Sequence, residues 1–142
     1  MYTIAMLLDV PFLPDRNYIT FLRKHESSLY SVHYSLAQDD IPDGRHQTQT
    51  WKTAELNQGL TRLTGVKKYA LLNSRFHHPT SYLSSEKIRH ILTVLETLLM
   101  ENNIDGIIVV DFYLVAALSD ASPEITSELE AVFGINCMLD SF

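Results

Sequence analysis

Short apolar runs rich in β-branched and aromatic residues alternate along the chain with segments in which apolar residues recur every three or four positions, and this alternation restricts the fold more than any other feature. The runs are Tyr2 to Leu8, Tyr30 to Leu36, Val66 to Asn73, Ile107 to Val110 and Ile135 to Leu139. Between the first two, Asp15 can cap a helix that turns Tyr18, Ile19, Phe21 and Leu22 inward. A second helix is expected from about Thr50 to Thr64, stopped by Gly65. The clearest one runs from about Ser85 to Asn103, where Ile88, Ile91, Leu92, Leu95, Leu98 and Leu99 define one apolar face. Phe112 to Leu118 begins a fourth helix. Its second piece is capped by Ser122, opens with Pro123, carries the stripe Ile125, Leu129, Val132 and ends at Gly134. Polar segments from Ala37 to Thr50 and from Ser74 to Ser84 read as loops.

Strands separated by helices predict an α/β fold with parallel pairing and right-handed crossovers, in a barrel or in an open doubly wound sheet. The chain has 142 residues, whereas a complete (β/α)8 TIM-type barrel takes about 250, or roughly 31 per unit. Five strands and four helices therefore predict a partial barrel. A buried parallel strand needs cover on both faces, and no helix is expected after the last run. The reading is a single domain over residues 1–142 that forms the amino-terminal part of a longer barrel, a truncated domain with two open strand edges. A homo-oligomer or a complementing chain would cover those edges.

Composition supports a globular chain: 46% of residues are hydrophobic and 20% charged, which argues against disorder. Eleven Lys and Arg against seventeen Asp and Glu give a net charge of −6, which disfavours nucleic acid as a partner. All eleven bases lie between Arg16 and Arg89, and from His90 onward there are nine acids and no base. No apolar stretch is long enough to cross about 30 Å of hydrocarbon, and Met1 to Val10 lacks the basic start of an export signal, so a cytoplasmic, membrane-free protein is expected. Cys137 is the only cysteine, so this chain alone cannot hold a cysteine-ligated iron–sulfur cluster. In mid-strand it reads as a small hydrophobe.

In parallel α/β folds the reactive residues collect where strands end at their carboxyl side. That rule selects Asp9, Asp111 and Asp140 as catalytic carboxylates, Asn73, Arg75 and His77 as substrate-binding residues, and Ser35 nearby. Three carboxylates, an amide and a guanidinium have the chemistry to hold a divalent metal or a polar substrate and to supply an acid and a base. Whether a metal is used stays open at this point. His33, inside the second run, reads as a hydrogen-bonded core histidine, and the adjacent His77 and His78 point apart in an extended segment.

The segments Lys67-Lys68-Tyr69-Ala70-Leu71-Leu72-Asn73-Ser74-Arg75-Phe76, Asp105-Gly106-Ile107-Ile108-Val109-Val110-Asp111 and Asn136-Cys137-Met138-Leu139-Asp140-Ser141 together resemble the amino-terminal barrel region of collagenase-like peptidases of unassigned catalytic type. The resemblance implies a TIM-type barrel, a peptide or protein substrate and peptide-bond hydrolase activity. It also implies relatives that modify RNA or quinone precursors, some with iron–sulfur clusters. The carboxyl-terminal half of such a barrel and the cluster cysteines have no counterpart here, so the chain is expected to be inactive alone. The alternative is a non-catalytic α/β module that binds a partner protein through a sheet edge or through its acidic helices.

Overall fold

The computed structural model describes residues 6–36, 41, 51–74 and 84–134. Their strands are β1 (Leu8–Pro11), β2 (Leu29–Ser35), β3 (Lys67–Leu72), β4 (Gly106–Val109) and β5 (Glu130–Phe133). The helices are α1 (Arg16–Lys24), α2 (Thr53–Leu60), α3 (Ser85–Met100), α4 (Phe112–Ala121) and the short α5 (Pro123–Ser127). All neighbouring strands pair parallel in the order β1-β2-β3-β4-β5. The order never reverses among these strands, so they lack the switch point of a doubly wound sheet.

Register shows how the two faces differ. Val32, Tyr34, Ala70, Leu72, Ile107 and Val109 share one face, and the apolar residues of α1 to α4 join them in one core. On the other face stand Asp9 and Pro11; Ser31, His33 and Ser35; Lys67, Tyr69 and Leu71; Gly106 and Ile108; and Glu130 and Val132. Tyr69 and Leu71 are buried yet do not belong to that core cluster, as expected of side chains on the opposite face. One-sided packing is what parallel strands added in one direction produce when their crossovers share the usual right hand.

α1 forms where expected: the Asp15 carboxylate accepts the Tyr18 N–H at 2.8 Å, and Arg23 and Lys24 complement its last turn. It buries Ile19 and Leu22 but not Phe21, which is exposed and stacks along Tyr18 and His25 on the flank. At 100° per residue, Phe21 falls outside the stripe through Ile19 and Leu22. α3 presents Ile88, Ile91, Leu92, Leu95 and Leu98 to the core.

The end of α3 is closed by two reversed bonds, Asn103 N–H to the Leu98 carbonyl at 2.9 Å and Asn102 N–H to that of Leu99 at 3.0 Å. Asn102 takes a left-handed conformation, with φ of 55°, and asparagine tolerates it where most residues do not. The Tyr34 hydroxyl donates to the Asn103 carbonyl at 2.8 Å, tying this corner to β2. Asn102→Ala is expected to lower stability by about 1 kcal/mol and Asn102→Gly to leave it unchanged or raise it. Urea denaturation read by circular dichroism checks both.

Two expectations shift. β1 lies at Leu8–Pro11 and meets the expected run Tyr2 to Leu8 only at Leu8, Pro11 being tolerated on an edge strand; Tyr2 to Ala5 lie outside the described residues. The helix expected to continue to Gly134 stops at Ser127, and Glu130–Phe133 is the fifth strand. Residues Ile135 to Leu139 lie outside the described residues. No helix among the described residues is long and apolar enough to cross a membrane.

Candidate functional site

Two polar groups occupy the sheet, at opposite ends. At the carboxyl ends, Asn73 follows β3 directly and Asp111 stands two positions beyond β4. These strands are neighbours, and Ser35 closes β2 beside them. Asp111 caps α4, its Oδ1 accepting the Tyr113 N–H at 2.8 Å. The cap fixes the carboxylate at the strand end. Arg75, His77 and Asp140 lie outside the described residues.

Asp9 does not join this group. It lies inside β1, level with Ser31 and Lys67, and Lys67 is two residues below Tyr69, which is level with Gly106. Asp111 stands five residues past Gly106. At about 3.3 Å per residue, the seven steps separate the two carboxylates by roughly 23 Å along the strands. One metal ion held by both carboxylates is excluded by that distance. Among the described residues no group of three His, Cys, Asp or Glu side chains converges on a metal-sized site.

Asp9 instead anchors a polar band on the helix-free face. Its Oδ1 accepts the Ser31 hydroxyl at 2.7 Å, and His33 Nδ1 lies 3.1 Å from Oδ2. The serine bonds the carboxylate and not the imidazole, so the trio lacks the relay order of a nucleophile triad. His33 is buried and lies beside Asp9, as a hydrogen-bonded histidine was expected to be, but on the helix-free face and outside the core cluster.

Farther across the sheet, Glu130 accepts the Lys67 ammonium and the Tyr69 hydroxyl, the latter at 2.6 Å. Both partners hold the Glu130 carboxyl below the usual carboxylate range, while the bond to Glu130 raises the Lys67 ammonium. Burial, followed by the hydrogen bond to Glu130, pushes the Tyr69 phenol up. The Lys67 ammonium also lies 5.8 Å from the Tyr30 ring centroid.

This band bridges β3 to β5 over β4, and Gly106 makes the crossing possible. A Cβ at Gly106 would stand 2.3 Å from the Glu130 carbonyl oxygen and 2.8 Å from Tyr69 Cε1. Ser31, Lys67, Tyr69 and Glu130 were not among the expected site residues. Their signal is the period-two polar spacing of Ser31, His33 and Ser35 and of Lys67 and Tyr69.

A cavity of about 90 Å³ lies in the helix layer between Leu36, Leu56, Val94 and Leu98, away from the carboxyl ends of β3 and β4. At its wall, Asn57 Nδ2 donates to Glu101 Oε2 at 2.6 Å, leaving the buried Oδ1 unpartnered. Besides that carbonyl the lining carries the Thr53 and Thr97 hydroxyls, and none of the lining residues is an acid or an imidazole.

No protein-family model matches the sequence, and no curated protein matches it. In three dimensions the chain is similar to a solved structure described as that of the U32 peptidase Mk0906, with a TM-score of 0.61 and 15% sequence identity. The match covers 94% of this chain and 49% of the other, so the chain spans about half of that protein's length. The likeness is one of fold: five parallel strands in one sheet with helices, an α/β arrangement also found in a U32 peptidase.

Proposed function

We propose that the chain is part of a barrel of the collagenase-like peptidase type and contacts an extended peptide at the carboxyl ends of its strands. One observation carries the reading: an all-parallel sheet in unbroken sequential order, with its helices on one face, that resembles a U32 peptidase over nearly the whole chain. Burial of His33, Tyr69 and Leu71 on the helix-free face supports a sheet curling toward an interior. In this reading Asn73 and Asp111 lie at the mouth, joined by Arg75, His77 and Asp140. Asp111 supplies the carboxylate that polarises water or the peptide amide, and Arg75 or an amide stabilises developing negative charge. Turnover requires the strands that complete the barrel, so the chain alone binds and does not cleave.

The test is peptide binding, followed by fluorescence polarisation with a labelled denatured-collagen peptide. Asp111→Asn keeps a good helix cap while removing the charge, and Asn73→Ala removes an amide. Each is expected to weaken binding about fivefold to tenfold, the loss of one hydrogen bond to a charged or polar partner. Unaltered affinity in both variants would remove the strand ends from the site, and no binding by the parent chain would overturn the reading.

A further inference from the structure

Thr53, Leu56 and Asn57 on α2 and Val94, Thr97 and Leu98 on α3 repeat the spacing i, i+3, i+4, so each set lies on one face of its helix. The two faces meet over Leu36 without closing. Thr53, Asn57, Val94 and Thr97 are too short to fill the space, and a hollow of about 90 Å³ remains. Leu36, Leu56 and Leu98 are buried and form its floor, whereas Thr53 and Thr97 are exposed and form its rim. None of these walls belongs to β1 or β5, so strands added at either edge of the sheet leave the hollow as it is.

Its polar feature is Asn57. The amide nitrogen donates to Glu101 Oε2 at 2.6 Å, and a carboxylate accepts only from the nitrogen end, so the orientation of the amide is fixed. Glu101 is exposed. Its bond holds the nitrogen toward solvent and turns the oxygen inward, where it is buried and has no donor. A buried acceptor left in that state is uncommon and costly. Thr97 does not serve it, because its hydroxyl donates to the Thr93 carbonyl at 2.9 Å. A water needs two to four polar partners, and the floor of leucines offers it none.

We propose that the hollow binds a small uncharged alcohol, whose hydroxyl donates to Asn57 Oδ1 while its alkyl body rests on Leu36, Leu56, Val94 and Leu98. Size follows from volume: an apolar cavity of about 150 Å³ takes benzene, so this one suits a body of about four carbons. The donor follows from the unpartnered oxygen. Neutrality follows from walls without a charged side chain, against which an ammonium or carboxylate would lose its hydration uncompensated. The site is in the helix layer and not at the strand ends, so it goes beyond the peptidase-like reading and stands or falls apart from it.

Isobutanol serves as probe for the purified chain. Methyl isopropyl ether has the same skeleton without a donor, and isobutylammonium has the same skeleton with a charge. Binding is followed by the methyl resonances of Leu36, Leu56, Val94 and Leu98. Isobutanol is expected to shift them saturably below about 10 mM, as suits so small a ligand. The ether is expected to bind about tenfold more weakly, the loss of one hydrogen bond to a buried acceptor, and the ammonium not to bind. Asn57→Leu keeps the bulk and removes the acceptor, and it is expected to bring alcohol and ether within about twofold of each other; an effect on packing alone would weaken both alike. Val94→Phe fills the hollow and is expected to abolish binding of both with little change in melting temperature. No saturable shift with isobutanol, equal affinity for alcohol and ether, tighter binding of the ammonium, or an alcohol preference that survives Asn57→Leu would each overturn the proposal. Binding of the denatured-collagen peptide at the strand ends is expected to be the same in Asn57→Leu as in the parent, which separates failure of one reading from failure of the other.

Discussion

Gly106→Ala is expected to lower stability by at least about 3 kcal/mol, more than most glycine-to-alanine changes, because the added methyl has nowhere to go. Its Cβ would meet the Glu130 carbonyl oxygen at 2.3 Å and the Tyr69 ring at 2.8 and 2.9 Å. The first neighbour is strand backbone, and the second is a ring held by its bond to Glu130, so neither yields cheaply. β5 would have to move away from β4, breaking the Tyr69 and Lys67 contacts to Glu130. Gly134→Ala is the control at the other end of the strand, where the nearest atom is a Val110 methyl at 3.4 Å. It is expected to cost less than about 1 kcal/mol. Urea melts compare the two, and equal midpoints would show that β5 does not sit against β4 as described.

The second large effect is expected at the centre of the helix layer. Leu95 is fully buried in the core that α3 shares with the sheet. Leu95→Ala removes its packing and leaves a cavity, at about 3 to 4 kcal/mol. Domains of this size are stable by only about 5 to 15 kcal/mol, so the variant is expected to melt well below the parent. Leu99→Ala, at the margin of the same face and only half-buried against the core, is expected to cost less than half as much. If the two were alike, the face assigned to α3 would be wrong.

Long, regular elements were legible in the amino-acid pattern. α3 carries enough turns for its stripe to define a face, and the run around Ile107 to Val110 differs from β4 by one residue. Short elements were not. β5 has four residues, too few for alternation to show, and Ile125, Leu129 and Val132 stand at spacings that suit a helix equally well. Ile125 and Leu129 do pack against the core, so hydrophobicity was read correctly while the backbone was not. At the other end, the apolar run from Tyr2 outweighed a proline that an edge strand tolerates.

The candidate site divided along the same line. Asn73 and Asp111 follow well-marked strands, and both stand at carboxyl ends. Asp9 was misplaced because its strand was, and the slip carried it to the far end of the sheet. The role of Gly106 is invisible in sequence, since it depends on Tyr69 reaching across β4 to a residue sixty-one positions away.

Pro11 and Tyr18 bear on how these molecules behave when crowded. Sheets that stack without limit, as in fibrils, need a sticky side at both ends, so that every newcomer offers a fresh template to the next. Here the β1 edge carries, at Pro11, a ring without an amide proton and a carbonyl already occupied by the Tyr18 hydroxyl. Pairing of a further strand at this position is therefore disfavoured, and edge-to-edge growth in register is held back there.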